Sequence, residues 1–385
     1  MTSLWDVIVV GAGPAGSCAA LAALQERPDA RVLLLDRADF PRDKCCGDGI
    51  APHVLDVLRP LGAADVVAGW TPLRRLELSR RGRQVAGRMA RPVYVIPRET
   101  FDARLVDHAV AAGAVLRRHR VRAVRPDGDG VLVDDAFRAA VVVGADGAHS
   151  VARAGAGLGT TRRRAVALRG YAPTAKVRAA KQVIRYGERR QPSYAWAFDR
   201  GDGWSNVGYG ELAGGDRPSR QLLLDQLDDL LPGAGTDGER WRGHHLPLSG
   251  WGWRRDQPDG RVLLAGDAAG LVNPMTGEGI YYAAATGAAA GRTAALAATT
   301  GRADQAGARH RFVVRRLLDR HLHHTWAAAR LTRSPAVVEA GIDAAARDGY
   351  AFDALVELGL GDGRITPRLA VGLARGLLTP SGRHR

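Results

Sequence analysis

The stretch Leu4–Val10 (LWDVIVV), followed directly by Gly11–Gly16 (GAGPAG), decides the fold class of this chain. An apolar run of this kind is typical of a parallel strand that is buried on both faces. The glycine turn leads into an Ala- and Leu-rich segment that predicts a helix. A second apolar run, Arg31–Leu35, ends at Asp36, 20 residues after the last glycine of the turn. Strand, glycine turn, helix, strand and acid in this order predict a dinucleotide-binding unit.

Each residue of this unit has a physical role. Gly11 permits the tight turn, Gly13 lets the backbone approach a pyrophosphate, and Gly16 lets the helix pack on the sheet. The helix N-terminus offers free N–H groups to that anion, and Asp36 accepts hydrogen bonds from a ribose. The residues predicted to contact this part of the nucleotide are Gly11, Gly13, Pro14, Ala15, Gly16, Asp36 and Arg37. A second match to the glycine pattern, Gly233–Gly238, has no apolar helix behind it and is predicted to be a loop.

Two more apolar runs end in acidic turns farther along the chain. Val141–Val143 leads into Asp146, and Arg261–Ala265 leads into Asp267, after which an Ala- and Gly-rich helix is predicted. A carboxylate at the carboxyl end of a parallel strand lies in the ligand crevice of such a sheet. Arg98 opens another predicted helix.

Together these features resemble the FAD-dependent oxidoreductases that are built like aromatic hydroxylases. The resemblance implies that Asp267 binds the ribitol chain of FAD and that Asp146 lies near the pyrophosphate. It also implies that the N-terminus of the helix after Asp267 stabilises negative charge on the flavin. The full set of additional FAD contacts that it implies is Cys46, Gly47, Arg98, Val121, Asp146, Asp267, Gly277, Gly279 and Ile280.

Two segments narrow the resemblance to the geranylgeranyl reductase family. They are Phe40–Gly49 (FPRDKCCGDG) and Gly266–Ile280, which contains GDAAGLVNP and GEGI. That family also carries a P-x-x-Y-x-W-x-F-P strand. Here Gln191–Asp199 (QPSYAWAFD) keeps the three aromatic residues but has Gln and Asp where the family has its first and last Pro. The resemblance covers essentially residues 4–299.

The resemblance implies an enzyme that reduces C=C bonds of a hydrophobic, isoprenoid-like substrate. Cys46, Tyr194 and Trp196 are the catalytic candidates. Cys46 either tunes the flavin, donates a proton or only packs, and the two aromatic residues either form a wall over the substrate or belong to the core. Because two prolines of the family pattern are replaced, an alternative function stays open. It is a monooxygenase that hydroxylates or epoxidises an aromatic or terpenoid natural product. A basic binding protein without catalysis is the third alternative, which the nucleotide motifs disfavour.

The predicted fold class is α/β, with a discontinuous Rossmann-type FAD-binding domain, an antiparallel-sheet substrate domain and a helical C-terminal tail. The FAD-binding domain is expected at residues 1–70, 92–155 and 255–300. The substrate domain is expected at residues 71–91 and 156–254, and the helical tail at 301–385.

Composition limits the partners of the protein. The formal charge is +15, but no basic stripe interleaved with aromatic residues is present, so nucleic-acid binding is not expected. Peripheral contact with an anionic membrane stays open. Three cysteines are too few for a disulfide framework, which favours a cytoplasmic protein.

No metal site is predicted, because His321, His323 and His324 lack Cys or acidic partners at ligand spacing and are attributed to a solvated helix face. The electron donor is expected to be NAD(P)H or another reductant. The oligomeric state does not follow from the sequence.

Overall fold

The computed structural model describes residues 4–160, 164–214 and 218–378, which form two β-sheets and the helices that cover them. The strands are β1 (Leu4–Val10), β2 (Val32–Asp36), β3 (Gly49–Ile50), β4 (Leu73–Arg80), β5 (Arg83–Val95), β6 (Val115–Arg118), β7 (Val124–Asp127), β8 (Gly130–Val133), β9 (Phe137–Gly144), β10 (Arg164–Pro173), β11 (Gln182–Tyr186), β12 (Tyr194–Asp199), β13 (Trp204–Leu212), β14 (Glu239–Pro247) and β15 (Val262–Leu264). The α-helices are α1 (Pro14–Glu26), α2 (Pro52–Leu58), α3 (Arg98–Ala111), α4 (Val151–Gly155), α5 (Arg220–Leu230), α6 (Ile280–Thr299), α7 (Ala306–Leu331), α8 (Pro335–Arg347), α9 (Gly349–Leu360) and α10 (Pro367–Leu378).

The first sheet has the strand order β6-β2-β1-β9-β8-β7, with β15 beside β9. Strands β1, β2, β6, β9 and β15 run parallel to one another, whereas β7 and β8 pair antiparallel. The apolar runs of β1, β2 and β9 lie at the centre of this sheet and are almost completely buried. The predicted Rossmann-type unit is therefore confirmed, and Gly233–Gly238 lies in a turn as expected.

Helices α1 and α6 pack unusually closely against each other beside the first sheet. Gly287 and Gly291 of α6 face the backbone of α1, where a Cβ atom would overlap the carbonyl oxygens of Ala15 and Ala19. This contact fixes the start of α6 relative to the glycine turn that begins α1.

The second sheet has the order β14-β10-β13-β12-β11-β4-β5-β3. Its neighbours are antiparallel except β4 and β11, which pair in parallel. Helix α5 packs against β13. The first segment of the substrate domain was expected to end at residue 91, but strand β5 continues to Val95. The apolar residues of the PVYV sequence extend the strand past Pro92. The domain ranges themselves stay a prediction.

The C-terminal helices cover the second sheet instead of trailing from it. Pro335 and Pro367 begin α8 and α10, consistent with the preference of Pro for the first helical turn. Val338 and Ile342 of α8 belong to the same buried cluster as Leu76 and Leu78 of β4. Among the described residues, no helix combines the length and the apolar composition needed to cross a bilayer.

The histidines of α7 correct one expectation. His321 is buried. Its Nε2 atom contacts the hydroxyl group of Tyr282, and its Nδ1 atom lies 2.6 Å from the carbonyl oxygen of Gly363. The ring of His323 lies against that of Trp251 at a tilted angle, with the ring centroids 4.4 Å apart. His321 is therefore part of the packing between α6 and α7, which the local sequence could not reveal because its partners lie far along the chain.

We predict that Gly291→Ala destabilises the protein, because the added methyl group forces α6 away from the backbone of α1. The expected loss in free energy of unfolding is about 2 kcal/mol, typical of overpacking in a core. Chemical denaturation measures it. Gly349→Ala is the matched control, since a Cβ atom there meets open space at the start of α9. Equal stability of the two variants would contradict the proposed close packing.

Candidate active site

A cavity of about 1190 Å³ lies between the two sheets and extends to the C-terminal helices. It is lined by every residue that the sequence analysis named for the site except Gly16. These lining residues are Gly11, Gly13, Pro14, Ala15, Asp36, Arg37, Cys46, Gly47, Arg98, Val121, Asp146, Tyr194, Trp196, Asp267, Gly277, Gly279 and Ile280. Residues far apart in the sequence thus meet around a single space.

The glycine turn has the geometry that an anion site requires. Gly11 adopts a φ of 96°, and a Cβ atom there would lie 2.9 Å from the Cα atom of Asp146. Gly16 does not reach the cavity, because its Cα packs against the carbonyl oxygen of Gly11. Beside Gly13 the nearest groups are the guanidinium groups of Arg42 and Arg98, at 3.5 and 3.8 Å from a hypothetical Cβ atom. A pyrophosphate there would meet the positive end of α1 and two cations.

Asp36 is held at the end of β2 by two backbone amides. The N–H groups of Ala12 and Ala38 donate to its two carboxylate oxygens at 2.8 and 3.0 Å. Arg42 lies 3.8 Å from this carboxylate and 3.0 Å from that of Asp102. Asp36 lines the cavity and retains lone pairs that can accept hydroxyl groups of a ribose.

Asp267 faces a cation that the sequence analysis did not identify. The Nζ atom of Lys44 lies 3.3 Å from its Oδ2 atom. Burial acts to raise the pKa of Asp267, but the charges of Lys44 and its neighbours lower it below its ordinary value, so the carboxylate is ionised. Gly279 lies close by, with a hypothetical Cβ atom 3.6 Å from Oδ1 of Asp267. The carboxylate and the N-terminus of α6 therefore border the same part of the cavity.

Asp146 is engaged within its own turn. Its carboxylate accepts hydrogen bonds from the hydroxyl group of Ser150 at 2.5 Å and from the N–H group of Val151 at 2.6 Å. Burial raises its pKa. Asp146 thus shapes the turn that carries Gly147 beside the glycine motif, instead of offering a free carboxylate.

Two adjacent cysteines line the cavity in different environments. The thiol of Cys45 donates to the carbonyl oxygen of Arg242 at 3.1 Å. Arg98 forms a two-point ion pair with Asp102, both contacts at 2.7 Å, and its guanidinium group also reaches the thiol of Cys46. Burial raises the pKa of both thiols, to about 12 for Cys45. Both cysteines therefore carry their protons at neutral pH.

A buried network that the sequence analysis missed holds the loop after Cys46. The amide nitrogen of Asn206 donates to the carbonyl oxygen of Cys46 at 2.9 Å and to the carboxylate of Asp48 at 2.8 Å. The hydroxyl group of Tyr171 donates to the same carboxylate at 2.6 Å. Trp196 donates from its indole nitrogen to Oδ1 of Asn206 at 2.8 Å. The network joins the cysteine loop to β12 and β13.

The aromatic residues of β12 face the cavity together. Tyr194, Trp196 and Phe198 lie on one face of the strand and line the cavity, while Ala195 and Ala197 are buried on the other face. The hydroxyl group of Tyr194 donates to the carbonyl oxygen of Thr276. Burial raises the pKa of Tyr194, so its proton is held tightly. Tyr194 fixes the loop before α6, and Trp196 offers its ring to the cavity.

Glu278 also belongs to the site. It lies in the GEGI motif, but the motif alone did not identify it as a site residue. Its half-buried side chain lines the cavity, and Oε1 accepts the N–H group of Tyr281 at 3.0 Å. Burial raises its pKa to about 7, and the backbone amides of Tyr281 and Ile280 and the charge of Arg98 offset this only in part. Glu278 is therefore a carboxyl group that can hold and release a proton near neutral pH.

The far end of the cavity is apolar. Its walls come from β4, β5, β11, α8, α9 and α10 and include Leu76, Leu78, Val93, Ile184, Val338, Ile342, Leu355, Val356, Leu369 and Leu373. The charged lining residues lie instead near the glycine turn, Asp267 and β14. The cavity thus joins a polar half to an apolar half.

The residues of the polar half fit FAD. The part of the cavity beside Gly13, the two guanidinium groups and the ionised Asp267 match a pyrophosphate and a ribitol chain. One group of three described residues could also hold a metal ion, namely His53, Glu357 and Asp362. Its Glu357 carboxylate lies 2.9 Å from His53, so an ion pair accounts for its geometry.

Comparisons with known proteins agree with this fit. The family described as FAD binding domain matches residues 5–186. A menaquinone reductase of Mycolicibacterium smegmatis is 35% identical over 318 residues, which are 74% of this chain and 75% of that protein. Digeranylgeranylglycerophospholipid reductase 1 of Methanopyrus kandleri is 36% identical over 324 residues, 75% of this chain and 80% of that protein.

A solved structure shares the whole fold. The geranylgeranyl bacteriochlorophyll reductase-like protein of Thermoplasma acidophilum superposes with a TM-score of 0.80 over 97% of this chain and 96% of that chain, at 19% identity. The two sequence relatives exceed 30% identity over at least 75% of their own length. The chain belongs to the geranylgeranyl reductase family of FAD-dependent oxidoreductases.

Proposed function

We propose that this enzyme reduces C=C bonds in the isoprenoid-like chain of a hydrophobic lipid. The observation that carries the proposal is the continuity of the cavity between the FAD residues and the apolar half. When bound and reduced, FAD would be the source of the hydride for one alkene carbon. The residues of this chain hold the substrate, exclude water and supply a proton to the other carbon.

The shape and chemistry of the cavity support a long apolar substrate. Its volume of about 1190 Å³ exceeds the roughly 300–1,000 Å³ that are usual for one small-molecule site, as expected for a cofactor and a chain together. The lining residues from α7 to α10 carry no charge, so nothing there would pair with an ionic group. The names of two relatives, which specify a digeranylgeranyl lipid and menaquinone, support a hydrophobic substrate for this chain as well.

An isolated alkene is a weak electrophile, so reduction requires a positioned proton donor. Glu278 satisfies this requirement best, because it lines the cavity and has a pKa near 7. The hydroxyl group of Tyr194 is committed to Thr276, which makes it a positioning residue. Cys46 holds its proton too strongly for efficient release, although its thiol borders the same space. Trp196 would form a wall over the alkene.

Reduction can be tested by supplying the chemically reduced enzyme with a prenyl lipid under strict anaerobiosis. NAD(P)H and other reductants can then be compared as electron donors. We expect a product that gains two hydrogens and no oxygen, measured by mass spectrometry. A product that forms only with O₂ and carries one labelled atom from ¹⁸O₂ would contradict the proposal and favour the monooxygenase alternative.

We predict that Glu278→Gln slows substrate reduction by about 100-fold, a usual contribution of a general acid. Because the raised pKa keeps the carboxyl group protonated up to about pH 7, the wild-type rate should fall as pH rises through that value. Gln keeps an oxygen for the Tyr281 amide but has no proton to release. FAD content should be unchanged, and the fall near pH 7 should vanish in the variant. A retained pH profile would show that another group is the acid.

We predict that Cys46→Ser slows substrate reduction by about tenfold and retains FAD, whereas Cys45→Ser changes the rate little. The reason is that the charge of Arg98 acts on the Cys46 thiol and that the next residue, Gly47, packs against the rings of Trp196 and Phe198, while the Cys45 thiol is occupied by the Arg242 carbonyl oxygen. Rapid-mixing absorbance of the flavin with bound substrate measures the step. Equal effects of the two substitutions would be inconsistent with a distinct role for Cys46.

A further inference from the structure

The loop of residues 273–277, which leads into α6, is attached to the last turn of α9 far along the chain. The side-chain amide of Asn273 donates to the carbonyl oxygen of Leu358 at 3.1 Å and to that of Gly359 at 3.4 Å. The hydroxyl group of Thr276 donates to the same Gly359 oxygen at 2.8 Å. Asn273 and Thr276 with these hydrogen bonds are called the loop clamp below.

Asn273 gives the loop one shape. It is completely buried, and both polar atoms of its side chain have partners. Its Oδ1 atom accepts the N–H group of Met275 at 2.9 Å, and its backbone N–H group donates to the carbonyl oxygen of Glu278 at 2.8 Å. Moving a buried amide would leave several polar groups unpaired, so the loop and the end of α9 are held together.

Thr276 is the point at which three elements meet. Its hydroxyl group donates to α9 and accepts the N–H group of Glu278 at 3.4 Å, just before the start of α6. Its carbonyl oxygen accepts the hydroxyl group of Tyr194 from β12. The side chain is half-buried and lines the cavity. Thr276 therefore contacts the backbone of the proposed proton donor on one side and α9 on the other.

Helix α9 forms a wall of the apolar half of the cavity. The α9 residues that line the cavity are Leu355, Val356, Leu358, Gly359 and Leu360. At Gly359 a hypothetical Cβ atom would lie 3.3 Å from Cγ2 of Thr276, so the helix and the loop are already in close contact. The position of this wall relative to Glu278 is set at the loop clamp.

The reaction makes the position of this wall important. Burial of apolar surface has no preferred direction, so a prenyl chain tolerates small shifts of the wall without much loss of affinity. Proton transfer to one alkene carbon does not tolerate them, because a displacement of about 1 Å can cost about 100-fold in rate. The element that holds the chain must therefore be fixed relative to Glu278.

We propose that Thr276 is a positioning residue which, together with Asn273, holds the α9 wall at a fixed distance from Glu278. The effect on the reaction rests on the proposed function, whereas the connection between the loop and α9 does not. Two measurements, one without and one with turnover, test these two parts separately.

Hydrogen–deuterium exchange of the FAD-loaded enzyme tests the connection. Thr276→Val removes the hydroxyl group and keeps the shape of the side chain, so exchange should rise about tenfold both in residues 273–279 and in residues 357–363. Thr276→Ser keeps the hydroxyl group and should exchange like the wild type. Thr293→Val is the matched control, because the buried Thr293 hydroxyl group donates to the carbonyl oxygen of Ala289 in its own helix at 2.8 Å. It should leave exchange in both segments unchanged.

Turnover of a prenyl lipid by the chemically reduced enzyme tests the positioning role. Per bound FAD, Thr276→Val should lower kcat about tenfold and change KM less than about twofold, and Thr276→Ser should restore kcat. Gly359→Ala is a second variant that removes no hydrogen bond, because its methyl group presses on Thr276 from the side of α9. Its kcat should also fall, and it decides the question if Thr276→Val loses its FAD.

The outcomes separate this proposal from the proposed function. Wild-type exchange of residues 357–363 in Thr276→Val would overturn the connection to α9. Wild-type kcat in both Thr276→Val and Gly359→Ala would overturn the positioning role. Faster exchange of both segments in Thr276→Val, combined with a wild-type enzyme that reduces no prenyl lipid, would support the connection and contradict the proposed function.

Discussion

The segment from Asp43 to Asp48 joins the two halves of the molecule, and a buried polar network holds it in place. Arg169 of β10 pairs with Asp43 at 2.6 Å and donates to the carbonyl oxygen of Lys44 at 2.7 Å. Asn206 holds the carbonyl oxygen of Cys46 and the carboxylate of Asp48 from the next strand. Buried charges are costly unless they are paired, so the ion pair and the hydrogen bonds of this network favour one arrangement of the segment. Oδ1 of Asp48 and Nε of Arg169 are buried without a hydrogen-bond partner.

The position of that segment determines the chemistry of the cavity. Lys44 reaches Asp267, the Cys46 thiol meets Arg98, and Gly47 lies against the aromatic residues of β12. A hypothetical Cβ atom at Gly47 would already lie 3.5 Å from the ring of Phe198. The same few residues therefore contact the FAD half, the catalytic candidates and the beginning of the apolar half. A shift of this segment would disturb all three at once.

The sequence brought the residues of the polar half together because its signals are local. The glycine turn, Asp36 and Asp267 follow apolar strands directly, so their meeting at one sheet edge follows from topology. The sequence did not identify ion pairs between distant elements. No local pattern indicated that Arg42 lies beside Asp36 or that Lys44 lies beside Asp267. Glu278 was visible in its motif, but its raised pKa depends on burial. The apolar half required helices α8 to α10 to fold back over the second sheet, which helical periodicity alone does not indicate.

We propose that one continuous cavity accepts FAD at its polar half and a prenyl chain at its apolar half. A crystal structure of the enzyme with FAD and a saturated prenyl lipid, which cannot react, tests this most directly. We expect the chain to run from the Cys46 and Trp196 side of the cavity, between β4 and α8, to the end of the cavity beside Leu331 and Leu373. A chain bound elsewhere, or an apolar half that stays closed and empty in the complex, would contradict it.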